Sequence, residues 1–221
     1  IAPEQINLFE AYFNILIAWN QRFNLTRITN RDDVIEKHFL DSLSCFVVYP
    51  HLPKKIIDVG SGAGFPGIPL KIFQPDIELT LVETTKKKVD FLEYLVQTLA
   101  LPNIKIIHGR AEDLGQTSSF REMHDLAVAR AVAPLSVLTE YLLPFVKVNG
   151  TMLALKSKLA NEEIDQAKAA LELLGGQIEE KVALTLPFSK LERTLIVIRK
   201  VRSTPPRFPR KAGIPTKRPI T

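Results

Sequence analysis

The chain is poor in the residues that build disulfides and metal sites. It has one cysteine in 221 residues, which forbids an internal disulfide and offers no thiolate cluster for a metal. That residue, Cys45, lies in the apolar run LSCFVVY, where a buried and unreactive thiol is expected. No apolar run approaches the length of a membrane span. A reducing, cytosol-like compartment is the reading that fits. The first residue is Ile1 rather than Met, so the lack of a targeting segment carries little weight. Acid is also missing from one end. From Arg199 to Thr221 there are eight basic residues and no Asp or Glu, so a net charge of +5 becomes −3 for residues 1–198. The basic character belongs to the tail, and a polyanion is the partner it suggests; a merely solubilising tail is the alternative.

What is present is a full globular composition, 46% apolar, enough for one α/β domain with an extension. Its organising stretch is Ile56 to Leu70, IIDVGSGAGFPGIPL. An apolar run carrying Asp58 breaks into Gly60, Gly62 and Gly64, and Pro66 and Pro69 suit the start of a helix. Strand, glycine turn and helix in that order form a seat for a nucleotide-like ligand. The dinucleotide pattern G-x-G-x-x-G is present too, at Gly62 to Gly67. A nicotinamide enzyme and a purely structural turn therefore both stay open at this point.

Residues 4–20 predict an amphipathic helix with Ile6, Phe9, Phe13, Leu16 and Ile17 on one face. Trp19 and Phe23 are expected to pack. Asn24-Leu25-Thr26 reads as a break, and Asn30 as the cap of a second helix over about Asp32 to Tyr49. That helix brings His38, Asp41 and Ser42 together. A helix supplies neither a strained nucleophile turn nor an oxyanion hole, so a hydrogen-bonded polar seam is predicted rather than a hydrolytic triad.

From Ile56 onward apolar runs alternate with helical patterns, which predicts a parallel sheet wrapped by helices. The strands are Ile56–Val59, Leu79–Val82, Ile104–Ile107, Leu126–Ala129 and Thr151–Leu155. Glu83 ends the second, where an acid typically holds ribose hydroxyls, and the backbone of Thr84 and Thr85 would follow the nucleoside. Lys86, Lys87 and Lys88 open a helix; a solvated surface is the default for them and phosphate contact the second reading. Glu112 follows the third strand, where it could accept from an adenine amino group or cap a helix. Arg130 ends the fourth. Gly60, Glu83, Glu112 and Arg130 thus all fall at strand carboxyl ends, where open parallel sheets bind ligands. A helix over Asn161 to Leu174 precedes two runs, Lys181–Leu186 and Thr194–Ile198, whose short connection predicts an antiparallel pair. That ending is unlike a dinucleotide-binding domain, and the nicotinamide reading falls behind.

These residues resemble the Rossmann-like S-adenosylmethionine-dependent methyltransferases, whose first motif is matched by Asp58-x-Gly60-x-Gly62-x-Gly64. More narrowly they resemble the bacterial small-subunit ribosomal RNA guanine-N7 methyltransferase G family, also called the glucose-inhibited division protein B family. Asn24-Leu25-Thr26, His38-Phe39-Leu40-Asp41-Ser42, Phe65-Pro66-Gly67, Arg130-Ala131, Lys156 and the tail from Arg207 to Pro215 carry that likeness. The resemblance implies methyl transfer from S-adenosylmethionine to a guanine ring nitrogen of 16S ribosomal RNA, with that RNA or the small ribosomal subunit as partner. It puts Gly60, Phe65, Ala111, Glu112 and Arg130 at cofactor-contacting positions, and Glu83, Thr84 and Thr85 at ribose and adenine. No catalytic base is expected, because guanine N7 has a lone pair and no proton. No metal and no membrane are expected either, and the compartment is the cytoplasm.

The expected architecture is a seven-stranded, mostly parallel methyltransferase sheet ending in an antiparallel hairpin (54–200), with an N-terminal helical extension (1–53) and a basic, proline-rich arm (201–221). Arg207, Arg210, Lys211, Lys217 and Arg218 are the RNA-binding candidates. Five prolines after Ser203 predict an extended arm that forms no helix. The competing functions are an NAD-dependent oxidoreductase and a non-catalytic RNA-binding protein that retains a nucleotide fold.

Overall fold

A computed structural model describes residues 1–157 and 161–221. Seven strands form one sheet in the order β3-β2-β1-β4-β5-β7-β6. They are β1 (Lys55–Val59), β2 (Glu78–Glu83), β3 (Ile104–His108), β4 (His124–Arg130), β5 (Val146–Lys156), β6 (Gly176–Thr185) and β7 (Glu192–Lys200). The first five run parallel, and β7 is antiparallel to both β5 and β6. The hairpin ending is therefore as the short Pro187 connection predicts.

The central strands are apolar on both sides because both faces are covered. One face of the sheet, through Ile56, Leu81, Val128 and Leu153, packs on α1 (Pro3–Asn20), α5 (Gly67–Phe73) and α6 (Lys86–Thr98). The other, through Ile57, Val59, Ala127 and Ile196, packs on α8 (Leu135–Leu142) and α9 (Asn161–Leu174), next to the short α7 (Ala111–Leu114). Gly175 ends α9 at φ +85°, the left-handed turn that glycine permits.

Helix α1 keeps its predicted length with a rotated inner face. Tyr12 and Leu16 are its buried residues, whereas Ile6 is 57% exposed. Tyr12 escapes a purely apolar count because its ring is buried while its hydroxyl donates to Ala63 O at 2.5 Å.

The predicted second helix is broken up. It consists of α2 (Arg31–Val34), a π-helical turn (Ile35–Leu40), α3 (Asp41–Leu43) and α4 (Cys45–Val48). Asn30 caps it as expected, accepting from the amides of Asp32 and Asp33. Arg130 donates to the carbonyls of Lys37 and His38 within the π turn. The arm also departs from expectation. Its prolines do not exclude helix, since α10 (Ile214–Lys217) forms with Pro215 in its first turn, where the missing N–H costs nothing.

Candidate active site: a glycine cradle beside a cationic cleft

Within Ile56–Leu70 only Gly60 and Gly62 keep appreciable exposure; every other residue is buried. Both have positive φ, +75° and +60°. A Cβ on Gly62 would meet nothing nearer than Gly60 O at 3.9 Å, so the turn offers bare backbone to open space. A Cβ on Gly60 would lie 2.8 Å from Val132 Cγ2. The loop after β4 therefore closes over the turn, which the sequence did not signal. Lys156 donates to Ala133 O, and the Lys156–Glu163 ion pair (2.5 Å) with the Leu135 N–H to Glu163 bond secures that loop.

Asp58 holds the turn from beneath. One carboxylate oxygen accepts the Gly67 N–H at 2.9 Å, and Oδ1 is buried with no hydrogen-bond partner among the described residues. Burial pushes its pKa up to about 7. Glu83 faces the turn from the end of β2, accepting from the amides of Gly62, Thr84 and Thr85 at 2.8–2.9 Å. Gly60, Gly62, Glu83, Thr84 and Thr85 are thus brought into one constellation.

Ala111 and Glu112 begin α7 at the end of β3, both buried. Glu112 accepts the Gly213 N–H from the C-terminal arm at 2.9 Å. Phe65 is only 5% exposed. Its ring stacks on His38 at 4.4 Å and Tyr12 at 5.4 Å, with the Arg130 guanidinium 4.9 Å from its centre.

Arg130 joins the turn to a second feature, a cleft of about 290 Å³ lined by Lys37, His38, Asp41, Arg130, Lys156 and Arg193 among others. Asp41 receives Arg130 on one oxygen (3.0 Å) and Arg193 on the other (2.8 Å). Arg130 also donates to His38 Nδ1 at 3.0 Å, so that nitrogen carries the lone pair and Nε2–H donates to Thr26 Oγ1 at 2.8 Å. Burial and the Arg130 charge lower the His38 pKa to about 3, which keeps the ring neutral. Ser42 donates to His38 O. His38, Asp41 and Ser42 are the predicted seam, with no nucleophile–base pair among them. Arg193, invisible in the sequence as a site residue, enters because β7 runs back alongside β5.

Among the tail candidates Arg207, Lys211, Lys217 and Arg218 are exposed. Arg210 points inward as a two-pronged ion pair with Glu140, which is 1% exposed. The arm is no loose chain. Arg121 donates to the carbonyls of Thr204 and Phe208, Phe208 is buried in the core, and Lys200, whose pKa burial lowers to about 8, reaches Leu143 O and Thr204.

The family model described as rRNA small subunit methyltransferase G (GidB) matches residues 5–195. The chain belongs to the rRNA small subunit methyltransferase G family. A protein named for that activity from Alkaliphilus oremlandii is 49% identical over 221 residues, spanning all of this chain and 92% of that protein. One from Bacillus cytotoxicus is 48% identical with the same coverage. Among solved structures, a putative S-adenosylmethionine-dependent methyltransferase from Methanococcus maripaludis overlays 78% of this chain and 91% of its own at a TM-score of 0.57 and 15% identity. The YcgJ protein of Bacillus subtilis overlays 75% and 100% at 0.56 and 14%. Those two likenesses speak to the fold, the Rossmann-like methyltransferase sheet. As a member of the methyltransferase G family the chain is an enzyme and S-adenosylmethionine is its cofactor; the nicotinamide and non-catalytic readings fall away. The open backbone at Gly62 and the acids Glu83 and Glu112 at neighbouring strand ends suit that cofactor. Among the described residues no helix is long and apolar enough to cross a membrane, and no cluster of three or more His, Cys, Asp or Glu could hold a metal.

Proposed function

We propose that the chain methylates guanine N7 in small-subunit (16S) ribosomal RNA, in the cytoplasm, with the glycine turn as cofactor seat and the cationic cleft as seat of the target nucleotide. The carrying observation is that these two features adjoin through Arg130 while the cleft presents no free base among the described residues. Both ring nitrogens of His38 are bonded, and both oxygens of Asp41 take arginines. An acceptor with a lone pair and no proton suits such a cleft. An acceptor that must lose a proton would not.

Gly60 and Gly62 give close approach, Glu83 with the Thr84 and Thr85 backbone meets the ribose, and Ala111 with Glu112 borders the adenine. Arg130 and Phe65 support the seat from between it and the cleft. Bound S-adenosylmethionine supplies an electrophilic methyl on a sulfonium. The protein's contribution is to orient the base, exclude water and hold phosphate. Such positioning can contribute several kcal/mol, to a ceiling of about 7–11 kcal/mol. N7 lies in the deep groove of an A-form helix, so an unstacked or looped guanine is the substrate form. Arg207, Lys211, Lys217 and Arg218 reach RNA outside the cleft, and Arg210 holds the arm that carries them.

The test is methyl incorporation from labelled S-adenosylmethionine into naked small-subunit RNA and into assembled subunits, with the modified base mapped. A 7-methylguanine is expected. Label on an exocyclic amine or a ring carbon would overturn the reading. Gly60→Val, whose side chain would collide with Val132 at a φ that valine disfavours, should lower cofactor affinity at least a hundredfold by calorimetry. Retained affinity would move the cofactor elsewhere.

A further inference from the structure

Away from the glycine turn, the outer side of α1 and α6 carries a groove of about 490 Å³, lined by Trp19, Phe23 and Tyr94 with Asn14, Gln21 and Arg22. Trp19 is its floor. It lies 5.3 Å from Tyr94, 5.7 Å from Phe23 and 5.6 Å from the buried Phe91. The predicted packing role is thus half right, because one side of the cluster meets the core and the other is open. Tyr94 is 47% exposed, which leaves much of its ring open to solvent beside Trp19.

The charge around it is positive. Lys87 Nζ sits 5.5 Å from the Phe23 ring centre, and Arg22 and Lys87 are exposed without ion pairs to the described residues. Glu93 beside Tyr94 is an exposed acid on α6, and Asp90, one turn before Tyr94, is neutralised by Lys86. Aromatic faces interleaved with unpaired cations, polar amides at the rim and room for a base form the surface that single-stranded nucleic acid uses, stacking bases on rings while cations follow the phosphates. The groove also leads somewhere. Lys87 stands two residues beyond Thr85, in the first turn of α6, so the cationic end of the groove lies on the helix that begins beside the cofactor seat.

We infer that this aromatic groove is a second RNA-binding site, which seats single-stranded ribosomal RNA flanking the target guanine by stacking on Tyr94 and Trp19 and by phosphate contacts to Arg22 and Lys87. The inference rests on the proposed RNA substrate and adds a contact remote from the cleft. It is carried by charge complementarity together with the exposed rings.

Trp19 is the only tryptophan in the chain, so its fluorescence reports the groove directly. Titrating a single-stranded 12-nucleotide oligouridylate into the whole protein should quench it saturably. Tyr94→Ala should weaken that binding about tenfold, as loss of one stacked base does. Arg22→Gln combined with Lys87→Gln should flatten log K against log salt by about 1.4, or roughly 0.7 per phosphate contact on a single strand. In methyl transfer, Tyr94→Ala should raise KM for naked RNA about tenfold and hold kcat within twofold, a split that a folding defect would not produce.

Oligonucleotide binding seen by anisotropy with Trp19 emission unchanged would overturn the site. So would a Tyr94→Ala protein with wild-type quenching and KM. A KM raised only on assembled subunits would assign the groove to a ribosomal protein and likewise overturn it. Quenching as expected from a wild-type protein that transfers no methyl would uphold the groove and sink the proposed function instead.

Discussion

The two ends of the chain fold onto opposite faces of the same sheet and are fastened by different chemistry. The N-terminal segment is bound mainly through side chains, its rings and two arginines, Arg130 and Arg193. Tyr12, His38 and Phe39 pack around Phe65, and Arg130 reaches four acceptors on the π turn and α3. The C-terminal arm is bound mainly through its backbone. Its carbonyls take Arg121, its amides go to Glu112, Glu122 and Glu140, and Phe208 is its one large apolar anchor. A side-chain clasp concentrates the hold in a few atoms, whereas a backbone clasp spreads it along an arm whose own backbone bonds are confined to α10 and its short turns. The N-terminal segment should therefore be vulnerable to single substitutions and the arm resistant to most of them.

Arg130→Ala tests the first half and should have the largest effect. It strips four acceptors and leaves Asp41, a residue 4% exposed, to Arg193 alone. Breaking a buried ion pair costs about 3–5 kcal/mol, or roughly 10 °C of melting temperature in a domain of this size. Methyl transfer should fall with it, since the cleft and the turn meet at this side chain. A melting temperature within 2 °C of wild type would show that the clasp is not concentrated there.

Arg210→Ala is the corresponding cut at the other end. Glu140 would keep the Arg210 amide but lose the guanidinium, for which a cost of about 1.5–3 kcal/mol is expected from charged hydrogen bonds. Hydrogen exchange should then rise at the Gly213 amide and stay unchanged over α1. Exchange rising equally at both ends would erase the distinction between them.

The difference between the ends also governs what could be read without the structure. Hydrophobic periodicity locates α1, and the glycine turn, the strand-end acids and the antiparallel pair are local patterns that report themselves. What escaped depends on partners far along the chain. Nothing near Arg193 marks it as a neighbour of Asp41; β7 brings it there. Nothing near Val132 says that it covers Gly60. The tail misled in a specific way, because a composition counts cations without saying which way they point. Lys200 is fully buried and Arg210 holds Glu140, so two of the eight basic residues that suggested a polyanion serve the fold. The π turn left no local mark either, and the arginine that bonds its carbonyls sits on another strand.

Asp58 supplies a pH effect that belongs to neither end. Its carboxyl ionises near pH 4 in the unfolded chain, but only at about 7 in the folded one, where burial opposes the charge. Between those values the folded protein holds the extra proton, so stability should fall as pH rises through this window and level off above about 7. Melting curves from pH 4.5 to 8 should show a decline of several degrees that Asp58→Asn flattens. The same decline should persist in the Arg210→Ala protein. Stability that instead climbs with pH across this range would mean that the carboxylate is stabilised in place.

The smallest effect on stability should come from the charges the arm presents outward. Lys217 and Arg218 are exposed and make no ion pair among the described residues, so replacing both with Gln should change folding by less than about 0.5 kcal/mol each. Their contribution should appear only with RNA. Each lost phosphate contact removes about 0.7 from the slope of log K against log salt on a single strand, so the double variant should lose about 1.4, as the groove pair Arg22 and Lys87 should on the opposite face. Combining all four substitutions is the sharper measurement. If one RNA strand spans both faces of the sheet, the two slope losses add. If the faces grip alternative strands in turn, removing one leaves binding through the other, and the quadruple variant loses far more affinity than the two doubles together.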